Sequence, residues 1–378
     1  MAEALFWISL AGLFYIYVGY PALVLLRARL FPKPVQKAPH RASVSVLISV
    51  YGEVAPLEAK LRSLLAATGS EQIREVLVGG DGPQPGLRDG VARVGDARAR
   101  VVEFPERRGK PSVLNDLMRA CSGEIVVLTD ARQTISGGAL TALLENFSDP
   151  TVGVVSGELI FVSEPGATSA AKGIGAYWRY EKLIRRSESA FGSVPGATGA
   201  FYAIRRELLE AIPPETLLDD VAIPMRALQR GYRCVFEPRA EVYDTPSSDA
   251  RKESLRKRRT IAGNVQLVRQ WPWLLNPVRN PAWFAFLSHK LARLLSPFLL
   301  ILAWIANLLL LEQPLYWVLG AGQLLLVLMG VCGWLLGLIH MRAGPLGIPM
   351  MFLALNLSTL LALWDAATGR FNVRWARG

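Results

Sequence analysis

Four groups of residues in this 378-residue chain have the types and spacing to do chemistry. Asp219 and Asp220 stand side by side. A hydroxyl nucleophile must lose its proton as it attacks, and a placed carboxylate can take it. The same pair is also a good helix start, because the helix dipole favours acid there. Asp130 closes an apolar run. A carboxylate there can hold a Mg²⁺ ion whose other ligands are phosphate and water, or can simply cap the next segment. Asp81 lies in Gly79-Gly80-Asp81-Gly82-Pro83, a turn where an aspartate is at home with no further role. Arg256, Arg258 and Arg259 follow one another at helical spacing. They suit bidentate contact with a diphosphate leaving group, or make a solvated basic face.

The elements that position these groups read as alternating strands and helices. Residues 43–50 (SVSVLISV) form an apolar, β-branched run bounded by turn residues, a buried strand. Residues 75–78, 100–104 and 124–128 read as three more strands, with helices over 57–67 and 111–120 between them. Such alternation implies a mostly parallel sheet covered on both faces. Ligands bind such sheets beyond the carboxyl ends of the strands, and Tyr51, Asp81 and Asp130 all fall at strand ends. Further on, 152–157 and 234–237 read as strands and 171–189 as a helix. Residues 195–203 make a Gly-rich loop running into a strand. A helix over 220–230 stops at Gly231, in keeping with a C-terminal glycine cap.

Hydrophobic residues make up 51% of the chain, and the excess is local. Residues 4–26 carry no charge and exceed the roughly 20 residues that cross a bilayer. Residues 294–311, 315–339 and 346–364 are three more such stretches. The first has no basic leader and no small-residue cleavage site, so it reads as an anchor. Arg27, Arg29, Lys33, Lys37 and Arg41 follow it and mark the cytoplasmic side. Four spans then put the C-terminal tail outside; with Arg370, Arg374 and Arg377 there, either the tail breaks that tendency or one C-terminal segment is interfacial. The Trp- and Pro-rich stretch 271–290 reads as interfacial. Three cysteines exclude a disulfide framework and agree with a reducing compartment. His40, His289 and His340 lack metal-ligand spacing. The net charge is +11, and six of the nine residues from Arg251 to Arg259 are basic. They lack the interleaved aromatics of single-strand binders, which favours membrane-surface or phosphate contacts over nucleic acid.

Taken in order, the segments resemble the family 2 glycosyltransferases, an inverting group with the GT-A fold. They are most similar to its membrane-embedded bacterial branch, which includes the cellulose, hyaluronan and poly-N-acetylglucosamine synthases. SVLISVYGE (45–53) is similar to the family's first strand and its aromatic-x-acidic end. GGDGP (79–83) resembles its second-strand aspartate loop, RRGKPSVLN (107–115) its GK-x-x-x-LN segment, and GEIVVLTDA (123–131) the strand with the metal-binding aspartate. PGATGAFYAIRR (195–206) looks like the acceptor-side loop, and LDD (218–220) stands where the family has a Thr-Glu-Asp type triplet. RxxRT (256–260), followed by AGN, stands where processive members carry Gln-x-x-Arg-Trp. The family's aspartate-x-aspartate is Asp130-Ala131-Arg132 here.

The resemblance implies an α/β, GT-A nucleotide-sugar-binding fold with a mostly parallel sheet, plus transmembrane α-helices at both termini. Residues 1–40 would be the N-terminal membrane helix and basic linker. Residues 41–268 would be the cytoplasmic catalytic domain, and 269–378 the interfacial segment and C-terminal membrane helices. Tyr51, Glu53 and Asp81 would hold the nucleotide base and ribose, with Lys110, Arg132, Arg256 and Arg259 at the donor and its diphosphate. Asp130 would ligate Mg²⁺ or Mn²⁺, with Arg132 supplying charge where the second carboxylate is absent. Asp220 would be the base and Asp219 its support. The expected activity is transfer from a UDP-hexose or UDP-N-acetylhexosamine to a polysaccharide or glycolipid acceptor, in a multi-pass inner (plasma) membrane protein of cell-envelope polysaccharide biosynthesis. The expected partners are the donor, a glycan or lipid-linked acceptor, membrane lipids and polysaccharide-assembly proteins, and no nucleic acid. A polyprenyl-phosphate glycosyltransferase and a catalytically inactive assembly subunit are the alternatives.

Overall fold

The computed structural model describes residues 1–52, 54–162, 169–245, 250–339 and 344–369. The chain opens with α1 (Ala2–Phe14) and α2 (Tyr20–Leu30), which run on as one helix through a π-helical turn at Tyr15–Gly19. There follow β1 (Val44–Val50), α3 (Ala55–Leu65), β2 (Ile73–Gly80), α4 (Leu87–Ala92), β3 (Ala99–Glu103), α5 (Lys110–Ala120) and β4 (Ile125–Asp130). The next set is β5 (Thr134–Ile135), α6 (Ala139–Leu144), β6 (Val152–Phe161), α7 (Ser169–Phe191), β7 (Phe201–Arg205), α8 (Asp219–Gln229), β8 (Arg233–Asp244) and α9 (Ala250–Gln270). Last come α10 (Trp283–Ala285), a π-helical turn at Phe286–Leu291, α11 (Ala292–Leu308), α12 (Pro314–Leu338) and α13 (Gly347–Ala367).

The strands form one sheet in the order β3-β2-β1-β4-β7-β6-β8-β5. Parallel pairing holds from β3 to β4. Beyond β4 the sheet is mixed: β7 runs antiparallel to both β4 and β6, β6 and β8 are parallel, and β5 is antiparallel to β8. The reversal has a local cause. Phe201, the first residue of β7, pairs with Thr129 near the carboxyl end of β4. The loop before β7 therefore lies over the strand ends, where a parallel strand could not deliver it. Ser49 of β1 is level with both Gly79 and Asp130, so Tyr51, Asp81 and Asp130 share one edge, as their sequence positions predict.

Side chains alternate across the strands. Val44, Val46, Ile48 and Val50 of β1 pack with Leu57, Leu61 and Leu64 of α3 and with α6 on one face. Leu47 points to the other, where Leu114 and Leu117 of α5 and Val221 and Ile223 of α8 lie. Two glycines set close approaches. A Cβ on Gly79 would stand 2.5 Å from Val113 Cγ1, and one on Gly263 would stand 2.5 Å from Leu218 Cγ. The first brings α5 down onto β2; the second brings α9 down onto the residue preceding Asp219.

Four helices are long and apolar enough to cross a membrane: Ala2–Leu30, Trp283–Leu308, Pro314–Leu338 and Gly344–Ala367. Large side chains such as Leu325 and Trp334 face outward from them, as lipid-facing residues do. The second of these helices starts well before residue 294, where sequence hydropathy places it, so only 271–282 of the expected interfacial stretch precedes the helix. The extension takes in His289, Lys290 and Arg293. Two of these are paired with α7: His289 lies 2.9 Å from Glu181 and 2.8 Å from Glu188, and Arg293 pairs with Glu181. Hydropathy cannot see partners supplied from 100 residues away. The tail arginines lie outside the described residues.

Candidate active site

Lys110 is the first residue of α5, set there by Gly109, whose φ of 92° favours glycine. Asp81 secures that entry. Its carboxylate accepts the backbone N–H groups of Arg108 at 2.7 Å and of Gly109 at 2.9 Å, and it is 2% exposed. Gln84 ties the same turn to β1, accepting the Gly52 N–H at 2.9 Å and donating to the Asp81 carbonyl at 2.9 Å. The Arg107 guanidinium stacks on the Tyr51 ring at 3.9 Å. Asp81 is thus turned inward to the loop, while Tyr51 and Arg107 make a flat wall beside it. Glu53 lies outside the described residues.

The Lys110 ammonium lies 3.0 Å from Asp130 and 3.1 Å from Asp219. One cation so joins the end of β4 to the head of α8. Burial opposes charge on both Asp130 and Lys110. Lys110 nevertheless holds the Asp130 carboxyl below its ordinary range, and Asp130 and Asp219 hold Lys110 above its own. Asp220 differs. Burial, and then the charge of Asp219, push its carboxyl up to about 6, with Lys110 and Lys290 acting the other way. Its Oδ2 accepts the Gly199 N–H at 3.2 Å, and its carbonyl accepts the Ala197 N–H at 2.8 Å. The loop before β7 is therefore fastened to Asp220. A carboxyl poised near neutrality, with one oxygen on a loop N–H, suits proton abstraction.

The basic helix α9 divides its arginines. Arg258 pairs with Asp365 of α13, and Arg269 donates to the Ala366 carbonyl at 3.3 Å. Arg259 is half-buried, with its Nε enclosed, and makes no hydrogen bond or ion pair among the described residues. Burial lowers its pKa, against the pull of Asp219, Asp220 and Asp130. The charge of Arg256 also acts on Asp130. Arg132 is drawn aside: it lies 2.5 Å from Asp244, which also accepts Gln133 at 3.1 Å. Of the sequence-predicted set, Lys110, Asp130, Asp219, Asp220, Arg256 and Arg259 converge. Tyr51 and Asp81 stand at the neighbouring strand ends, and Arg132 reaches Asp130 by charge alone.

Asp130 fits a divalent cation in one specific way. Its Oδ1 accepts Lys110, its other oxygen has no partner among the described residues, and the side chain is 31% exposed. No group of three or more His, Cys, Asp or Glu able to hold a metal occurs among the described residues. The donor set matches a hard ion carried chiefly by phosphate oxygens.

Three residues escaped sequence reasoning. Lys60 is fully buried, its ammonium 5.6 Å from the Phe201 ring centroid, and burial pushes it down to about 7 despite Asp130 and Asp244. Its place on the apolar stripe Leu57-Lys60-Leu61-Leu64 was the available signal. Tyr202, next along β7 from Phe201, is buried and feels the charge of Asp219, Asp220 and Asp130, and its hydroxyl has no partner among the described residues. Lys290 sits on a helix whose apolarity hid it.

Comparison with known proteins bears on the family and the fold. The model of the glycosyltransferase like family 2 matches residues 40–263. A poly-β-1,6-N-acetyl-D-glucosamine synthase of Staphylococcus aureus (strain COL) is 24% identical over 220 residues, covering 57% of this chain and 53% of that protein. An N-acetylglucosaminyltransferase of Rhizobium meliloti (strain 1021) is 27% identical over 284 residues, covering 71% of this chain and 62% of that one. The chain thus spans about half the length of the Staphylococcus relative it matches. Among solved structures, mannosyltransferase PcManGT from Pyrobaculum calidifontis, in complex with GDP-Man and Mn²⁺, superposes with a TM-score of 0.73 at 22% identity. The match covers 98% of this chain and 100% of that one. At that identity the likeness shows the fold alone, which is GT-A.

Proposed function

The chain belongs to the glycosyltransferase-like family 2, and from that premise we propose that it moves a sugar, with inversion, from a UDP-hexose or UDP-N-acetylhexosamine to a polysaccharide or glycolipid acceptor. The observation that carries this reading is the Asp130–Lys110–Asp219 bridge with Asp220 beside it under the acceptor-side loop. Asp220 takes the proton of the attacking hydroxyl, whose oxygen bonds to the anomeric carbon. The bond from that carbon to the diphosphate breaks, and the diphosphate keeps the electron pair. Arg259 and Arg256 face that departing charge, for which arginine is well suited. Lys110 holds Asp219 and Asp130 in register and keeps the second negative charge beside Asp220 in check. Asp130 would hold Mg²⁺ or Mn²⁺, which when bound would supply positive charge against the departing diphosphate.

Tyr51, with Arg107 on its ring, forms the wall for the nucleotide base, and Asp81 acts by holding the Lys110 turn. Residues 41–268 form the catalytic unit, and the apolar helices hold it at the inner membrane, with Arg27 to Arg41 marking the cytoplasmic side. The support for this placement is the set of four membrane-length helices. Membranes bearing the chain, incubated with a panel of labelled nucleotide sugars, should convert one UDP-sugar into a larger, membrane-associated product. Failure of every donor would sink the reading. A tag near residue 150 should resist external protease in sealed spheroplasts, and cleavage would reverse the orientation.

A further inference from the structure

Three of the four membrane-length helices lie side by side. A Cβ on Gly12 of α1 would stand 2.9 Å from Leu299 Cδ1 of α11, and one on Gly320 of α12 would stand 2.8 Å from Asn307 Oδ1 of α11. At the end far from the catalytic unit, Phe6 packs with Ala303 and Ala306 and lies edge-on to Tyr316, ring centroids 5.3 Å apart. At the near end, the Tyr15 hydroxyl lies 2.7 Å from Ser288 Oγ, and Tyr17 donates to Ser296 at 3.0 Å. That end meets α7, whose Tyr180 hydroxyl donates to the Tyr17 carbonyl at 2.9 Å. α12 runs back to the same end: Gly330 packs on Leu353 of α13, and Gly333 on the Leu346 carbonyl just before it.

α13 takes another direction. It meets the bundle at the near end, where Ser296 Oγ donates to Asn356 at 2.7 Å and the Phe352 ring lies 5.3 Å from that of Tyr17. Along its length it follows α9 of the catalytic unit. The Lys257 ammonium lies 3.9 Å from Met351 Sδ, Arg258 pairs with Asp365, and Arg269 donates to the Ala366 carbonyl at 3.3 Å. α9 is itself fixed to the unit, by Gly263 against Leu218 and by Gln266, which accepts the Leu217 N–H at 2.8 Å. Between Met351 and Ala366 a helix rises about 22 Å, at about 1.5 Å per residue. A span would carry one of these residues that far from the unit, as α11 carries Ala306 away from the Arg293 that pairs on α7. Both instead stay against one helix of the unit. Met351, Thr359, Ala362 and Asp365 are buried, in the stripe that meets α9, whereas Leu357, Leu361 and Trp364 are exposed. Each set recurs at three- or four-residue intervals, so the two form opposite faces.

We infer that α13 lies along the membrane, not across it, and docks its Leu357, Leu361 and Trp364 face on the lipid leaflet at the catalytic side. A helix with one apolar face bare and the other engaged rests in the interfacial plane, where tryptophan sits at headgroup level. The Arg258–Asp365 pair then lies in the polar boundary, where charge costs far less than in the hydrocarbon. α9, basic over its first half, lies over the same leaflet and suits anionic headgroups. The chain crosses the membrane three times, through the helix Ala2–Leu30 and through α11 and α12. Arg370, Arg374 and Arg377, which follow α13 in the sequence, fall on the side of Arg27 and Arg41, so positive charge gathers on one side throughout. Three crossings follow from the helix contacts; only the naming of that side as cytoplasmic rests on the proposed function.

Two tags on the full chain, one near residue 150 and one after Arg377, are compared in sealed spheroplasts. External protease should treat them alike. Protection of both supports three crossings and the cytoplasmic side together. Cleavage of both supports three crossings and reverses only the proposed orientation. Cleavage of one tag alone means a fourth crossing and overturns the inference. Depth is read separately from spin labels at Leu357→Cys or Trp364→Cys, in a chain carrying Cys332→Ser; Cys121 and Cys234 are buried. Both labelled side chains face outward, so the packing on α9 is kept. The two labels should report one shallow depth in the bilayer, whereas labels at Leu324→Cys and Val331→Cys on α12 should differ by about 10 Å. A difference of about 10 Å between the α13 labels would overturn the in-plane docking whatever the tags show, and labels lying in water would do the same.

Discussion

Two clusters of buried acids and bases are balanced differently. On the membrane side, Glu181, Glu188, His289, Arg293 and Tyr20 form a largely closed set, with Glu188 Oε2 left without a hydrogen bond among the described residues. Tyr20 donates to Glu188 at 2.5 Å, His289 spans both glutamates, and the Tyr180 hydroxyl donates to the Tyr17 carbonyl at 2.9 Å. Burial opposes the charge on Glu181, yet Arg293 and His289 hold its carboxyl well below the usual range. On the strand-end side, Asp130, Asp219 and Lys110 are paired, but Asp220 is pushed up to about 6 and Arg259 has no partner among the described residues. A closed cluster fixes position, and buried polar groups are kept that way because an unmade bond is costly. An open one holds electrostatic free energy in reserve for charge that develops during reaction. On the proposed reading, the molecule separates holding from reacting.

The largest break in this contrast should come from the open side. Asp220→Asn should lower transfer by on the order of 10²–10⁴-fold, with nucleotide-sugar binding near normal, whereas Asp219→Asn should do less. Comparing turnover with donor affinity checks this, and near wild-type turnover in Asp220→Asn would remove the base from the mechanism.

Next in size is the cation. Excess chelator, or Asp130→Asn, should cut transfer on the order of 10²-fold, the several kcal/mol that a bound ion supplies. Mg²⁺ or Mn²⁺ should restore the chelated wild type. Full activity under chelation would show that Asp130 serves only Lys110.

The closed side should respond in stability instead. His289→Ala strips a partner from two buried glutamates, for an expected loss of about 1–3 kcal/mol. The unfolding temperature should drop with little change in donor affinity. If donor affinity fell while the unfolding temperature held, the separation of the two clusters would be wrong.

The smallest effect sharpens the contrast by pH. The folded-state pKa of Asp220 lies near 6, above its ordinary 3.8, so the folded protein binds this proton more tightly than the unfolded chain. Its contribution to stability therefore declines as pH rises between those values. Transfer moves the opposite way: half of its plateau at about pH 6, approaching full rate above. The kcat/KM profile should show that limb, and the residual activity of Asp220→Asn should lack it.

Much of the open side was legible in the sequence. Asp130, Asp219-Asp220 and the strand that delivers each are local features, marked by β-branched runs and turn residues. The parallel half of the sheet was legible for the same reason. The reversal at β7 was not, since strand direction depends on where the preceding loop leaves the chain. Nor was the inward turn of Asp81, because the glycine-rich loop reads alike whether the carboxylate faces solvent or two backbone N–H groups. The closed side was nearly invisible. Tyr20, Glu181, Glu188 and His289 are scattered over 270 residues, and hydropathy treats His289 and Lys290 as boundary residues. They become interior ones only through partners that α7 brings.

Arg258 and Arg259 are neighbours on one helix, yet one is bolted to Asp365 near the end of the last apolar helix and the other lies in the field of the site's carboxylates. Gly263 removes the clearance that would let α9 ride away from Leu218. With Arg259 at the donor as proposed, a tilt or axial slip of α13 would be handed on to its guanidinium as a lever hands on displacement. The thickness of the surrounding bilayer would then be a variable of donor handling. Reconstitution in lipids of graded acyl length should shift the donor KM of the wild type, and Asp365→Asn should flatten that dependence. An equal dependence in both would mean that the lever is not connected.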